Sequence, residues 1–170
     1  MLGVYDNFPI NIHRIDTFST SFSNRKLQEI LMIVLREANR RAFSFEEIAY
    51  PTLPKCKIMI EAGLADARCF NYIDDEEINK VLNALNKKPF RTLDFFLVLR
   101  YYKGNTDKKE HLKFDYYMIR TFFGKNLMEI QVFHERGPRY ISPEDVTTFL
   151  VKEVNKTSSR KILKRMEIQP

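Results

Sequence analysis

The chain has 170 residues, of which 44% are hydrophobic and 29% charged, which is typical of one folded domain and unlike a disordered chain. The formal net charge is +6, and only five glycines are present, which argues against a glycine-rich phosphate-binding loop. The longest purely apolar run, residues 30–35, is far shorter than the roughly 20 residues that span a bilayer, so no membrane segment is expected.

The two cysteines, Cys56 and Cys69, have no second pair and no neighbouring histidine. A structural zinc site needs four ligands at short spacing, so neither a metal nor a cofactor is predicted. The first residues lack the basic stretch and apolar core of a signal peptide. We therefore expect a cytoplasmic protein with two buried thiols.

The first half of the chain predicts one irregular strand and two helices. Residues 8–18 have the mixed pattern of an irregular strand. Ser23 (or Ser21) can cap an amphipathic helix that runs to about Arg40, because apolar residues recur there at helical spacing. The capping box formed by Ser44 and Glu47 predicts a short helix over residues 45–50.

Residues 52–72 are compatible with two structures. The alternation of Lys55–Glu61 predicts a strand, with a turn at Gly63 into a second strand at 68–72. Alternatively, Pro54 begins a short helix that ends near Gly63. A short apolar run does not separate the two by its period, so both stay open.

In the helical version, the segment from Leu27 to Leu64 resembles a winged-helix DNA-binding module. The resemblance lies in a long helix, a short helix containing Phe45-Glu46-Glu47-Ile48-Ala49, a turn and a further helix that ends in Glu61-Ala62-Gly63-Leu64. It implies a recognition helix in which Lys55 and Lys57 are the cations.

The second half predicts a helix, a three-stranded antiparallel meander and a final helix. Asp74 caps the first helix, which ends near Lys88, and Ser142-Pro143 begins the last. The predicted strands and turns are Leu93–Tyr102, a turn at 104–107, Leu112–Phe123, a two-residue turn at Gly124-Lys125, and Leu127–Glu135.

The predicted fold class is therefore α+β: a C-terminal two-layer sandwich with a mainly helical N-terminal segment packed on it. The expected division is an N-terminal segment at 1–72, an α-β-β-β-α module at 73–156 and a basic tail at 157–170.

Alternation along the predicted strands gives two sheet faces, both of them apolar in the first two strands. We expect one face to contain Phe96, Val98, Arg100, Tyr102, Lys113, Asp115, Tyr117, Ile119, Met128, Ile130, Val132 and His134. An antiparallel sheet with one solvated side should alternate more cleanly. The N-terminal segment or a second copy of the chain should therefore cover the other face, and a homodimer is predicted.

Asp115 and His134 fall opposite each other in this register, with Arg100 and Lys113 at the same end. A carboxylate that orients an imidazole is part of an acid–base site, but no nucleophile can be placed beside the pair. A second candidate is the loop at 134–140, where Arg136 and Arg139 flank Gly137-Pro138 before a helix N-terminus. This loop either binds an anion or pairs its arginines with Glu135, Glu144 and Asp145.

The positive charge lies in the C-terminal half of the chain. Residues 1–90 carry 12 basic and 12 acidic side chains, whereas residues 91–170 carry 16 and 10. Lys161, Lys164 and Arg165 lie in the tail, where cations can bind a polyanion. The sequence therefore predicts a binding or scaffold protein that contacts nucleic acid through this basic surface. The alternative is an enzyme that acts on an anionic substrate near residues 134–140.

Overall fold

The computed structural model describes residues 1–50, 56–103 and 111–167. Within them, an eight-stranded sheet has the order β2-β3-β5-β6-β7-β1-β8, and β4 pairs with part of β3. The elements are β1 Arg14–Ser19, α1 Asn24–Ala38, β2 Ala42–Ser44, a 3-10 turn at Phe45–Glu47, β3 Cys56–Asp66, β4 Cys69–Tyr72, α2 Asp75–Lys87, β5 Thr92–Lys103, β6 His111–Gly124, β7 Leu127–Arg136, α3 Pro143–Thr157 and β8 Lys164–Arg165.

The predicted fold class is wrong in its architecture. The sheet is an open antiparallel sheet rather than a three-stranded layer, and the first 72 residues supply four of its strands. β1 lies between β7 and β8, and β3 pairs with β5. The helix caps at Ser23, Asp74 and Ser142 are formed as predicted, because local capping does not depend on which strands pair. The division at residues 72 and 156 stays a prediction.

Residues 56–72 form a hairpin, so the helical interpretation and its resemblance to a winged-helix module are wrong. β3 pairs with β4 from Asp66↔Cys69 to Gly63↔Tyr72. The turn lies at Ala67-Arg68, where Ala67 has φ +57°, and not at Gly63. The predicted helix start at Pro54, the candidate cation Lys55 and the predicted turn at 104–107 lie outside the described residues.

The predicted faces are correct for β6 and β7 relative to each other but wrong for β5. The helix-covered face contains Leu97 of β5 opposite Tyr117 of β6, whereas Phe96 and Val98 lie on the reverse side. The register of the pairing between β5 and β6 shifts by one residue between Tyr101 and Tyr102, so the pairing at that end of the hairpin differs from the pairing along the rest of it. Because the side-chain period of a strand is two, one residue of shift exchanges its faces.

The second pairing, between β6 and β7, is offset by two residues from the predicted register. Gly124 pairs with Leu127, so the turn residues are Lys125 and Asn126 rather than Gly124 and Lys125. Asn126 has φ +58°, a conformation that asparagine tolerates better than most residues. An offset of two preserves the faces, which is why Asp115 and His134 still lie on the same side.

The core lies between one sheet face and the three helices. The largest fully buried side chains include Phe95, Tyr101 and Tyr117 from the sheet and Leu27 and Leu31 from α1. No helix of the described residues packs on the opposite side of the sheet, which we call the helix-free face. Phe96, Tyr116 and Phe133 are only partly buried there.

The N-terminal residues cover one end of the helix-free face, as one of the two sequence-based alternatives proposed. Gly3 donates to Ala65 O at 2.7 Å, and Tyr5 N donates to Asp94 Oδ2 at 2.8 Å. Asp94 is fully buried, and Arg120 also donates two hydrogen bonds to it, each 2.7 Å long, which compensate the loss of water around the carboxylate. The expected homodimer stays a prediction.

No helix in the described ranges is long and apolar enough to cross a membrane.

At Gly63, β3 has no space for a side chain. A Cβ placed there would lie 2.2 Å from Cε1 of Phe96, and that ring is held between Phe70 and Tyr116 at centroid distances of 5.2 and 5.5 Å. We expect Gly63→Ala to lower the free energy of unfolding by roughly 1–3 kcal/mol, measured by chemical denaturation. Adding Phe96→Leu should recover part of that loss. Additive losses in the double variant would contradict the proposed clash.

Candidate anion-binding surfaces

The Asp115 carboxylate is the centre of the first candidate site. It is fully buried and accepts four hydrogen bonds. Oδ1 accepts from His134 Nε2 at 2.8 Å and from the Arg139 amide at 2.6 Å. Oδ2 accepts from the Tyr101 hydroxyl at 2.6 Å and from the Tyr140 amide at 2.9 Å. The predicted contact between Asp115 and His134 therefore exists, within a larger network.

The loop after β7 folds over Asp115 because two of its residues adopt positive φ angles. Gly137 has φ +111° and Arg139 has φ +60°. A Cβ on Gly137 would lie 2.3 Å from the Phe114 carbonyl oxygen, so only glycine lets the backbones approach this closely. The loop thus aims two successive amides at one carboxylate and leads directly into α3.

The geometry around His134 resembles a structural anchor more than a catalytic site. Its side chain is 10% exposed, and Nε2 is held by Asp115. Within the described residues, no serine, threonine or cysteine side chain is hydrogen-bonded to His134. The backbone amide of His134 donates to Nδ1 of His13 at 2.9 Å, a contact that requires that nitrogen to be unprotonated. The pKa of His13 is lowered by desolvation and by nearby Arg139 and His134.

The arginines of the loop are not neutralised in the way that one sequence-based alternative expected. Arg136 and Arg139 are exposed, and neither forms an ion pair in the described parts of the chain. Glu144, one of the expected partners, lies 3.8 Å from Arg14 instead. The backbone amide of Arg139, however, is already used by Asp115. Any anion here would be bound by side chains rather than by the loop backbone.

Arg100 and Lys113 do not join the Asp115 site. Arg100 lies on the helix-free face, where its Nε donates to Glu61 at 2.9 Å. This correction follows from the exchanged faces of β5. Lys113 is exposed on β6 and pairs in the backbone with Tyr101. The four sequence-predicted cations Arg100, Lys113, Arg136 and Arg139 are thus distributed over both faces rather than around one ligand.

The C-terminal tail is an ordered part of the fold as far as the structure describes it, to residue 167. β8 pairs with β1 through Phe18↔Arg165 and Ser19↔Lys164. Ile162 and Leu163 are 4% and 1% exposed, respectively. Two hydrogen bonds to Asn155 Oδ1 hold their amides, each 2.9 Å long. The backbone that carries the tail cations is consequently held in place.

A groove next to this tail contains lysines and hydroxyl groups. We call it the serine groove; it has a volume of about 520 Å³. Its lining consists of Ser19, Thr20, Ser21, Asn126, Lys161, Ile162 and Lys164. Lys161 and Lys164 are exposed and form no ion pair with any described residue. Ammonium, hydroxyl and amide groups are the usual side-chain contacts of phosphate oxygens.

A second groove, which we call the tail groove, adjoins the first at Lys161. It lies between α3 and the tail and has a volume of about 550 Å³. Its lining consists of Phe18, Thr148, Val151, Lys152, Asn155, Arg160, Lys161, Leu163 and Arg165. Arg165 also forms an ion pair with Asp16, and Arg160 lies 4.7 Å from the Phe22 ring centroid. No carboxylate is among the described residues that line either groove.

Sequence reasoning identified Lys161, Lys164 and Arg165 but missed the residues that complete the grooves. Ser19, Thr20 and Ser21 follow β1, and Asn126 is in the turn between β6 and β7. Their proximity results from the pairing of β1 with β7, for which the sequence offers no local signal. The Ser19-Thr20-Ser21 triplet itself was the available clue.

The cysteine prediction is half correct. Cys56 is buried, and burial raises the pKa of its thiol, whereas Cys69 is exposed in β4. Among the described residues, no group of three potential ligands is close enough to hold a metal ion.

No protein-family model matches the chain, and searches of curated proteins and of solved structures found no similar protein either.

Asp115→Asn tests whether the network anchors the loop. All four donors point at the carboxylate, so an amide NH2 in place of either oxygen would face two of them. We expect a loss of roughly 3–5 kcal/mol in the free energy of unfolding, measured with a chemical denaturant. The control is Glu135→Gln, which neutralises an exposed carboxylate nearby and should change stability by less than about 0.5 kcal/mol. Equal effects of the two variants would contradict the anchoring role.

The buried tyrosines predict loss of stability in alkali. Burial, reinforced for Tyr101 by its bond to Asp115, raises the pKa values of Tyr101 and Tyr117 far above the ordinary tyrosine range. The unfolded chain therefore releases these protons from about pH 10 while the folded chain retains them, so stability falls as the pH rises. Between about pH 9 and 11, the wild type should lose more stability than the Tyr101→Phe, Tyr117→Phe variant. Parallel pH profiles would disprove this.

Proposed function

We propose that the protein binds nucleic acid through the serine groove and the tail groove. The observation that carries the proposal is that Lys152, Arg160, Lys161, Lys164 and Arg165 line two adjoining grooves with no carboxylate among their described lining residues. Surface cations on globular proteins are usually interspersed with acids, which cancel the local field. Arg165 is paired with Asp16, whereas the other four cations form no ion pair within the described residues. The grooves therefore keep an excess of positive charge, which attracts a polyanion by counterion release.

The docking of the tail supports this proposal over a merely solubilising role. A fraying cationic end would have to lose conformational entropy on binding. Here the backbone is already fixed by the pairing of β8 with β1 and by the burial of Ile162 and Leu163. The cations can therefore bind a phosphate backbone with a smaller entropic cost. We also propose a cytoplasmic location, which agrees with the two unpaired thiols.

The alternative of an enzyme near residues 134–140 receives less support from the geometry. His134 is 10% exposed and its Nε2 is hydrogen-bonded to a buried carboxylate. Acid–base catalysis needs a group within hydrogen-bond reach of a substrate, and this imidazole has little accessible surface. We therefore assign the loop to anchoring, with its exposed guanidinium groups available for binding.

Neutralising the serine groove should weaken nucleic-acid binding. We expect Lys161→Gln with Lys164→Gln to lower affinity for a single-stranded oligonucleotide and to flatten the plot of log affinity against log salt by about 1.4, since each phosphate contact contributes roughly 0.7. Fluorescence anisotropy in a salt titration measures both. Substitution is preferable to removal of the tail, because removal would also expose the core around Ile162 and Leu163.

The matched control for this experiment is Lys57→Gln with Arg68→Gln. Both side chains are exposed, and both belong to the β3–β4 hairpin at the other side of the sheet. The control removes the same charge, so it separates a local contact from a change in net charge. Equal salt slopes for the wild type and both double variants would disprove the proposed function.

A further inference from the structure

An array of aromatic rings crosses the helix-free face. Tyr5 packs on Phe70 with ring centroids 4.7 Å apart, and Phe70 packs edge-on against Phe96 at 5.2 Å. Phe96 then stacks on Tyr116 at 5.5 Å with an interplanar angle of 19°. All four rings are partly exposed on this face.

The array ends at Arg136, the backbone partner of Tyr116 across β6 and β7. The Arg136 guanidinium lies 5.9 Å from the centroid of the Tyr116 ring and forms no ion pair within the described residues. The other end of the array is covered by the N-terminal residues through Tyr5. The Tyr116 end is therefore the end at which a further planar group can join the stack.

A second stacked pair involves Phe133, which pairs with Met118, two residues from Tyr116 on β6. His13 and Phe133 have ring centroids 4.7 Å apart and are nearly parallel at 7°. Arg139 is near enough to lower the pKa of His13, after the larger contribution from desolvation. Two guanidinium groups without carboxylate partners in the described chain thus lie beside two sets of rings. An apolar partner or a second copy would have to desolvate both cations, which is costly.

We infer that the Tyr116–Arg136 end of the helix-free face binds an unpaired nucleobase of a single-stranded nucleic acid, with Arg139 available to a neighbouring phosphate. Aromatic rings and guanidinium planes are the groups on which unpaired bases stack. A duplex keeps its bases paired and cannot present one to this face. The inference rests on the proposed function in taking nucleic acid as the ligand.

The two surfaces lie within the reach of one strand of nucleic acid. β7 begins at Leu127 beside the turn that contributes Asn126 to the serine groove, and it ends at Arg136. Nine steps along the strand separate these two residues, so at roughly 3.3 Å per residue they lie about 30 Å apart. Site sizes of about 4–16 nucleotides are usual for proteins that bind single strands.

The test compares a base-containing ligand with a base-free one. A labelled 15-nucleotide oligothymidine and inorganic polyphosphate are titrated against the wild type, Tyr116→Leu and Tyr116→Phe. Loss of the ring should weaken oligothymidine binding about tenfold, whereas Tyr116→Phe should retain it, since base stacking needs the ring and not the hydroxyl. Polyphosphate affinity should change less than about twofold in both variants, because it offers no base. Tyr72→Leu is the control, since Tyr72 is 48% exposed and lies outside the array.

Three results would overturn the inference. If Tyr116→Leu binds oligothymidine as the wild type does, while the Lys161 and Lys164 variant binds it weakly, the base site is wrong and the proposed function stands. If no oligonucleotide binds at all, the proposed function fails and this inference fails with it. If light scattering shows a dimer that Tyr116→Leu converts to a monomer, the face binds a second copy instead.

Crosslinking keeps the test valid if Tyr116→Leu fails to fold. Wild-type protein is irradiated with an oligonucleotide that contains 4-thiothymidine, and the crosslinked peptides are identified by mass spectrometry. Crosslinks at Tyr116, Phe133 or His13 would support the inference. Crosslinks confined to Phe22, beside the tail groove, would contradict it while agreeing with binding in the grooves.

Discussion

A carboxylate buried without any solvent contact is the constraint on which this end of the fold depends. Asp115 has no exposed surface, so hydrogen-bond donors must replace the water that its carboxylate has lost, because an uncompensated buried charge costs several kcal/mol. The donors come from β5 through Tyr101, from β7 through His134 and from the following loop through two amides. Gly137 allows that loop to approach. One side chain therefore determines how the sheet is joined to α3, whose start at Ser142 follows within a few residues.

A second carboxylate, on β1, joins the tail to the sheet. Asp16 is 8% exposed and pairs with both Arg14 and Arg165. The pair with Arg165 joins the tail to β1, next to the backbone pairing of Ser19 with Lys164. Asp16 thereby neutralises Arg165. The same contact helps to keep Lys161 and Lys164 beside the serine groove. Arg165 is neutralised, whereas the tail lysines form no ion pair with any described residue. These lysines are the charges that a ligand can use.

Local signals in the sequence predicted local structure well and long-range pairing poorly. The caps at Ser23, Asp74 and Ser142 were predicted correctly, because each depends on a hydrogen bond to a residue three positions away. The insertion of β1 between β7 and β8 was not predicted, since its partners are more than 100 residues distant. The faces of β5 were exchanged because a register shift next to Tyr101 carries no sequence signature that fixes its position. The contact of Asp115 with His134 survived because the register error in that hairpin was two residues and preserved the faces.

The sequence predicted only the part of the candidate site that is formed by a local cluster of basic residues. The basic tail was identified from composition, but the hydroxyl groups opposite it required knowledge of the sheet order. Backbone NMR tests most directly whether nucleic acid occupies the grooves beside the tail. Titration of isotope-labelled protein with a single-stranded oligonucleotide should shift the amide signals of Ser19, Thr20, Asn126 and Lys161. Shifts confined to other regions, or no shift at millimolar concentration and low salt, would contradict the account.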